Sequence, residues 1–583
     1  MLRIDRIAAV ALLAWLPFSV FPAEKITELK VYTAKKILTM EPTQPEATAV
    51  AISNGRIVSV GSPESLESWT SRFPTTVDET FKDKVLLPGF IDPHLHPTLP
   101  AILTLYPFIA PEDWSLPAGE FPAARSNAEY LEALKREVAR YPESPYYEEG
   151  IPFITWGYPQ LFHGDVFQDE LDELFPETPV MLWHRSFHEL ILNTAAVELV
   201  GITEEETRPY GVDIEWDKGR FTEFGAKTLL VPRLVPLILT AERYATGMEN
   251  FVRMMHLGGV TSGMDMGIGT LGNPEDEVEA IRAAVNAAET PARIVLTPQI
   301  TDFMIREKSP EEALAEVKRW EERWSTGRVR LDGHFKIFMD GAAFSGLGQM
   351  GFPGYMDGHD GIWMLPLERT YAFAKTFWNA GYQIHAHTNG DLSAGMLMEF
   401  VRRLQAQHLR VDHRTVLEHF MYAKEDQLAQ MADLGMAVSA NPYYQYILAD
   451  IYAEQWLGED RARNMVPLGA AVRAGVRTAL HSDAPMAPLS PLTLVWTAVN
   501  RKSIGGTENN AAERLTLDQA LRGVTIDAAW MMRQEDELGS IRAGKIADFT
   551  VLDADPYEVA PAAIKDIEIW GTVFEGVAYP IER

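Results

Sequence analysis

Two histidines separated by one residue are the first candidates for chemistry in this chain. The stretch "LLPGFIDPHLHP", residues 86–97, carries an apolar run into His94 and His96. Residues i and i+2 of a strand lie on one face, so both imidazoles point the same way. Neutral imidazole is a common ligand of Zn²⁺. A metal site is therefore one interpretation of this pair, and two surface histidines on a loop are the other.

Four more polar residues stand at the ends of apolar, strand-like runs. Imidazoles and a carboxylate are groups that borderline divalent ions accept. A lysine in an apolar run is unusual, because an unpaired buried ammonium is costly. Reaction with CO₂ would convert it into a carbamate that can bridge two metal ions, whereas a plain salt-bridging lysine would leave a site for one ion. The four residues are Lys336 in "HFKIFMD", His387 in "IHAHTNGD", His419 in "LEHF" and Asp483 in "HSDAP".

The middle of the chain supplies the elements that would position these residues. Strand-like runs such as "RIVLTPQI", "YQIHAHTNGD" and "VRTALHSDAP" alternate with helical runs such as "SPEEALAEVKRWEERW". Repeated βα units favour a parallel α/β fold. A closed (β/α)₈ barrel, the TIM-like architecture, fits best, because it collects residues from the C-terminal ends of several strands.

Three neighbours of the candidates have their own interpretations. His385 shares the strand face of His387 but lies deeper, and is the alternative candidate from that strand. His481 shares the face of Asp483 and either supports a ligand or simply packs. Glu418 precedes His419 and is therefore expected to point out of the barrel as an ordinary strand residue.

Both ends of the chain consist of short alternating strands, and Asn54-Gly55 predicts a hairpin between two of them. We expect a small β-sandwich domain formed by both termini. The predicted organisation begins with a signal peptide at 1–23 and the N-terminal segment of the β-sandwich at 24–85. The barrel follows at 86–500, and the last barrel helices with the C-terminal segment of the β-sandwich occupy 501–583.

Residues from about 100 to 250 interrupt the βα pattern and are rich in Pro, Trp, Tyr and Phe. We expect an insertion over the barrel mouth, where lids and substrate pockets are usually found. Trp156, Tyr158 and Phe162 could wall an apolar pocket, although aromatic residues are more often plain core.

Composition excludes several classes of function. The formal net charge of the 583 residues is −30, and nucleic-acid phosphates would be repelled by most of such a surface. The chain has no cysteine, which removes disulfides, thiolate metal sites and lipoprotein anchoring. We expect a small-molecule substrate, no nucleic acid, and either a monomer or a homodimer.

The first residues resemble an export signal. Arg3 and Arg6 precede the apolar run "IAAVALLAWLPFSVFPA", which is short for a membrane span, and Ala23 is a plausible cleavage position. The prediction is a periplasmic or secreted protein without stable membrane insertion. An uncleaved N-terminal anchor is the alternative.

The motifs, taken in order, resemble a known family. "LLPGFIDPHLH", "FKIFMDGA", "HTNGD", "LEHF", "HSDAP", "ERLTLDQAL" and "GSIRAGKIADFTVLDADP" are similar to the amidohydrolase superfamily. Within it they resemble amidohydrolase family 3, the branch with N-substituted formamide deformylase and YtcJ-like proteins. The resemblance runs from about residue 28 to 575.

This resemblance implies a ligand set. His94, His96 and Asp483 would hold one metal, His387 and His419 a second, and carbamylated Lys336 would bridge them. The metal would be Zn²⁺, one or two per chain, with another divalent ion as the alternative. A segment of the insertion, "TPVMLWHRSFHELILNTAAVELVGI", also resembles YtcJ-like relatives. In it His188 and Asn193 align with a His and an Asn of those relatives; His188, like Trp156, is a candidate for substrate binding.

The implied function is hydrolysis of an amide-type C–N bond in an N-acyl or N-formyl amine, with a hydrophobic substituent on the substrate. Metal ions would make hydroxide available near neutral pH, and Asp483 would take a proton and deliver it to the leaving nitrogen. An ester, lactone or cyclic imide hydrolase would use the same site. A non-catalytic binding or regulatory protein is the remaining alternative, which the six intact candidate ligands argue against.

Overall fold

Eight parallel strands, named β1 to β8 here, lie in the central region of the chain. They belong to a computed structural model that describes residues 25–270, 273–287 and 291–582. The predicted signal peptide lies outside the described residues. The strands are β1 Phe90–Leu95, β2 Val260–Ile268, β3 Arg293–Pro298, β4 His334–Phe338, β5 Gln383–Thr388, β6 Val416–His419, β7 Ala437–Ala440 and β8 Arg477–Leu480.

These strands pair in two parallel sheets. β1, β2 and β3 are neighbours in one sheet, with Val329–Arg330 at its edge, and β4 to β8 follow in chain order in the other. Isolated parallel bridges link the sheets at both sides: Gln299 pairs with Lys336, and Leu95 pairs with Ala484. Because all strands run in one direction, the residues at their carboxyl ends can meet in one place.

Helices follow the strands, as the βα pattern predicts. Pro310 begins one of them after Ser309, whose side chain accepts from the Glu312 N–H in a capping box. The helices after β2 to β8 are Pro274–Ala287, Ile300–Ile305, Pro310–Trp324, Leu367–Asn379, Asp391–Gln407, Glu425–Asp433, Tyr443–Gln455, Gly458–Arg463, Leu468–Arg473, Pro491–Asn500, Leu517–Gly523 and Ile526–Met531.

Strands from both ends of the chain form one seven-stranded sheet. The hairpin predicted at Asn54-Gly55 is confirmed: both residues have positive φ, 51° and 73°, between two antiparallel strands. The sheet joins the central strands through Gly89, whose N–H donates to the Asp548 carbonyl. A second sheet packed against it as a sandwich stays a prediction. In spatial order the strands are Val577–Pro580, Ile569–Phe574, Phe549–Leu552, Thr75–Pro88, Leu29–Leu38, Glu46–Ser53 and Arg56–Gly61.

The aromatic-rich segment lies between β1 and β2. It contains a five-stranded sheet, made of Phe153–Tyr158, Val180–His184, Glu189–Leu192, Ile214–Glu215 and Arg220–Thr222, and a hairpin of Trp114–Leu116 with Gly119–Phe121. Its main helices are Thr98–Leu103, Asn127–Arg140, Gln160–His163, Gln168–Leu174, Thr194–Val200, Glu204–Thr207, Val231–Ile238 and Ala241–Leu257.

Within the described residues, no single helix has the length and apolar character to cross a membrane. The bent pair Glu223–Ile238 and Ala241–Leu257, with 93° between its halves, meets the criterion jointly, by length and composition only.

Candidate metal centre

Asp483 is the point at which the predicted residues meet. Its Oδ1 lies 3.2 Å from His96 Nε2 and 3.4 Å from His94 Nε2. Its Oδ2 lies 3.6 Å from His419 Nδ1. His94, His419 and Asp483 are buried, whereas 20% of the His96 side chain is exposed. A carboxylate that follows β8 therefore faces imidazoles from β1 and β6, with one side of the group open.

Lys336 and His387 complete the cluster from β4 and β5. Lys336 Nζ lies 3.5 Å from His94 Nε2, and the rings of His387 and His419 are 4.4 Å apart. Both side chains are buried. The structure thus brings all six predicted residues around one centre.

Two sets of three donors have ligand atoms within 4.8 Å of one another. One is His94, His96 and Asp483, and the other is His94, His419 and His481. His387 belongs to neither set, although its ring adjoins that of His419. Imidazole nitrogens and a carboxylate oxygen grouped at this spacing are suited to coordinating a divalent cation.

Glu418 is the residue that sequence reasoning missed. The expectation that it points out, away from the site, is wrong. Its Oε2 lies 2.8 Å from His94 Nδ1 and its Oε1 2.7 Å from His385 Nδ1, with the carboxylate fully buried. The next two residues, His419 and Phe420, have φ of 74° and 59°, so the strand alternation ends here and Glu418 and His419 both reach the centre. No spacing in the sequence signals this break.

His385, the alternative to His387, has both ring nitrogens engaged elsewhere. Its Nδ1 contacts Glu418, and its Nε2 lies 3.0 Å from His334 Nδ1. These contacts leave His387 as the better-placed donor from β5.

Burial controls the charge of the centre. It lowers the pKa of His94, His387, His419 and His481 well below the ordinary histidine value, and the nearby Lys336 adds to the effect. Neutral imidazole is the form that binds metal ions. Burial also lowers the pKa of Lys336 to about 8, although Glu418 and Asp483 oppose this.

His188 lies on the loop before strand Glu189–Leu192, near enough to the centre that the Asp483 carboxylate contributes to its pKa. Its Nδ1 is 2.9 Å from Glu223 Oε2, and both side chains are about a fifth exposed. Burial disfavours the imidazolium, but Glu223 outweighs it and the pKa of His188 is raised. Glu223 has φ of 42° and precedes a π-helical turn, Ala226–Leu230, a combination that often marks functional sites.

Trp156 lies on strand Phe153–Tyr158 of the insertion. It is fully buried, and Phe187 stacks on it at 5.4 Å with the rings 18° from parallel. Asn193 is a structural residue: its side chain caps helix Thr194–Val200 and accepts from the Val180 N–H. Of the stacked pair, Phe187 is the ring nearer to solvent, because it is only partly buried whereas Trp156 is fully buried. A substrate contact by Trp156 stays a prediction.

Comparisons with known proteins identify the family to which the chain belongs. The model of a family described as the amidohydrolase family matches residues 81–578. The chain is 27% identical over 550 residues to N-substituted formamide deformylase of Arthrobacter pascens, covering 91% of this chain and 94% of the relative. It is 27% identical over 561 residues to putative amidohydrolase YtcJ of Bacillus subtilis (strain 168), covering 93% and 97%.

A solved structure shares the fold. An uncharacterized metal-dependent hydrolase from Pyrococcus horikoshii OT3 superposes with a TM-score of 0.68 at 19% identity, covering 91% of this chain and 99% of the other.

Proposed function

This protein belongs to the amidohydrolase family of hydrolases, and we propose that it cleaves an amide-type C–N bond in an N-acyl or N-formyl amine with the help of bound Zn²⁺. One observation carries the proposal: the Asp483 carboxylate faces the nitrogens of His94, His96 and His419 at 3.2–3.6 Å. A relative over almost the whole chain is an N-substituted formamide deformylase, which supports this bond type.

Unpartnered buried atoms test whether the residues fit a cation. Among the described residues, His96 Nδ1, His419 Nδ1 and His481 Nε2 are buried and have no hydrogen-bond partner. Buried polar atoms are usually partnered, and these three nitrogens gather at one centre, where a bound cation would give them a common partner. Neutral nitrogens around one carboxylate fit a divalent cation, and Zn²⁺ best among the common ones.

In the proposed arrangement His94, His96 and Asp483 would hold one cation and His387 and His419 would hold a second. A bound divalent cation lowers the pKa of a water molecule and polarises a carbonyl group. Asp483 accepts the proton of the attacking water and passes it to the leaving nitrogen. The neutral amine of Lys336 would react with CO₂ with loss of a proton, and the resulting carbamate anion would be a further ligand group for the bound metal.

The architecture that surrounds the site, a barrel with a β-sandwich, is also part of the proposal. The bridges Gln299–Lys336 and Leu95–Ala484 support closure of β1 to β8 into one (β/α)₈ barrel. Residues 86–500 would form this barrel, with the insertion at its mouth. Residues 24–85 and 501–583 would contribute the two segments of a β-sandwich. Export to the periplasm or secretion rests on the sequence of residues 1–23 alone.

The function is tested with metal-loaded protein. We expect about one to two equivalents of Zn²⁺ per chain after dialysis, because the donors are imidazole and carboxylate without thiolate. Elemental analysis measures the metal. A screen of N-formyl amines, N-acyl amines, N-acyl amino acids and aryl esters measures activity before and after treatment with a chelator.

Two results would contradict the proposal. One is dialysed protein without transition metal whose activity a chelator leaves unchanged. The other is turnover of esters, lactones or cyclic imides with none of the amides, which would assign the same site to a different bond.

The insertion, in which His188 lies, is expected to set substrate choice. We predict that His188→Ala raises KM about tenfold and alters substrate preference, because a hydrogen bond to a charged group is worth about 1.5–3 kcal/mol. Metal content should stay unchanged. Steady-state kinetics on two amides and elemental analysis measure both quantities, with the exposed His408→Ala as the matched control. Loss of metal in His188→Ala would make His188 a ligand.

The buried Trp156 should behave differently. Trp156→Ala removes a fully buried indole, which typically costs about 3–5 kcal/mol of stability. This substitution therefore tests whether Trp156 holds Phe187 in place, rather than whether Trp156 contacts the substrate directly. Thermal unfolding must be measured together with KM.

A further inference from the structure

His481 is the buried imidazole of the centre to which neither the sequence pattern nor the proposed ligand set gives a metal-binding role. It lies directly after β8, two residues before Asp483, and is fully buried. Its ring centre is 4.5 Å from that of His94 and 5.3 Å from that of His419.

The contacts of His481 leave one nitrogen free. Its Nδ1 lies 2.7 Å from Ser439 Oγ on β7. The Glu418 carboxylate lies on the same side of the ring, with its Oε2 3.7 Å from His481 Nδ1. A hydroxyl hydrogen turned towards Glu418 leaves the serine oxygen to accept from Nδ1–H of His481. This tautomer places a lone pair on Nε2, and that buried atom has no partner among the described residues.

The free nitrogen belongs to a set of donors. His94, His419 and His481 offer ligand atoms that lie within 4.8 Å of one another. An orphaned buried nitrogen is costly, and at His481, unlike at the buried His163, it lies beside the imidazoles of two proposed metal ligands. The Ser439 contact resembles the way in which a ligating histidine is oriented by a hydrogen bond at its other nitrogen.

We propose that His481 is a metal ligand that joins His419 at the second cation on the deep side of the centre, while the single free nitrogen of His94, its Nε2, serves the cation of His96 and Asp483. This inference rests on the proposed function, because it assumes that the centre holds a cation. It adds a seventh residue to the proposed ligands. It also gives the orphaned Nε2 atom a partner.

The first test is metal affinity and ligand count in His481→Gln. Loss of supporting residues alone costs about 10–100-fold in metal affinity, so loss of a direct ligand should weaken Zn²⁺ binding at least about tenfold. X-ray absorption of the Zn²⁺-loaded protein should show one imidazole fewer per chain. The visible spectrum of the Co²⁺-loaded protein should change as well.

The matched control is His163→Gln. His163 is also fully buried, with Nε2 bonded to the Ala124 carbonyl and Nδ1 unpartnered, but it lies in the insertion outside both donor sets. Its replacement should leave Zn²⁺ affinity and the Co²⁺ spectrum unchanged. Circular dichroism confirms that each variant is folded before metal is measured.

A cavity variant separates ligation from packing. In His481→Ala, added imidazole should restore the Co²⁺ spectrum of the wild type. Should His481→Gln fail to fold, the His481→Ala spectra with and without imidazole decide the question.

The outcomes distinguish the two proposals. If the wild type binds no Zn²⁺ or Co²⁺, the proposed function itself fails. If His96→Ala loses metal while His481→Gln keeps wild-type affinity and imidazole count, the function stands and this inference is overturned. An affinity loss without a change in imidazole count would also overturn it, since His481 would then only support a ligand.

Discussion

Asp483→Asn should lower kcat about 10²- to 10⁴-fold or more, which is the range that general acid–base catalysis typically contributes. Asn keeps an oxygen of similar reach but removes the basic group. Metal binding should therefore weaken only modestly, since His94 and His96 remain in place beside the substituted residue. Single-turnover kinetics on a good amide, together with elemental analysis, separate the two effects.

A buried carboxylate elsewhere provides the control. Asp548 lies in the sheet built from both chain ends and pairs with Arg293. Asp548→Asn should lose stability but keep the kcat of its folded fraction. Near wild-type turnover by Asp483→Asn would mean that another residue carries the proton, and His188 would be examined first.

Lys336→Ala should lose the second metal equivalent and most activity. Lys336 is buried and its Nζ lies 3.5 Å from His94 Nε2, where an unmodified ammonium would stand among the proposed metal ligands. A bridging group should matter at least as much as a supporting one, which is worth about 10–100-fold in metal affinity. A short carboxylic acid such as propionate should restore some of the metal content and rate by occupying the vacated space.

Labelling identifies the modification directly. Wild-type protein exposed to ¹³C-bicarbonate should give a carbamate resonance that Lys336→Ala lacks. Lys545 is a suitable control, because it is also a buried lysine but its Nζ donates to the Leu538 carbonyl and to Ser540 Oγ. Lys545→Ala should keep the resonance and both metals. Full metal content and a normal rate in Lys336→Ala would show that this lysine is not the bridge.

The sequence by itself determined six residues of the centre, but not the place of Glu418 or the role of His481. His94, His96, Lys336, His387, His419 and Asp483 were all identifiable from residue type and from their position at the ends of apolar runs. This works because a parallel fold places the carboxyl ends of its strands together, so that strand-end residues converge whatever the distance between them in the chain. The motifs that resemble the family lie in the same short stretches of sequence, so their identification needed no tertiary information.

Only the tertiary structure decided how the surrounding residues are used. Glu418 contacts His94 across 324 positions of the chain, and positive φ at His419 breaks the strand alternation so that the next residue reaches the same centre. Trp156 lies beneath Phe187. No periodic pattern relates these two residues, and their rings stack because the insertion folds them together.

The tertiary structure also decided which nitrogen of His481 is free, because Ser439 of the neighbouring strand β7 is hydrogen-bonded to the other one. Strand periodicity predicts the face on which a side chain lies. Backbone torsions at single residues and contacts between distant strands decide which atom of that side chain is left to act.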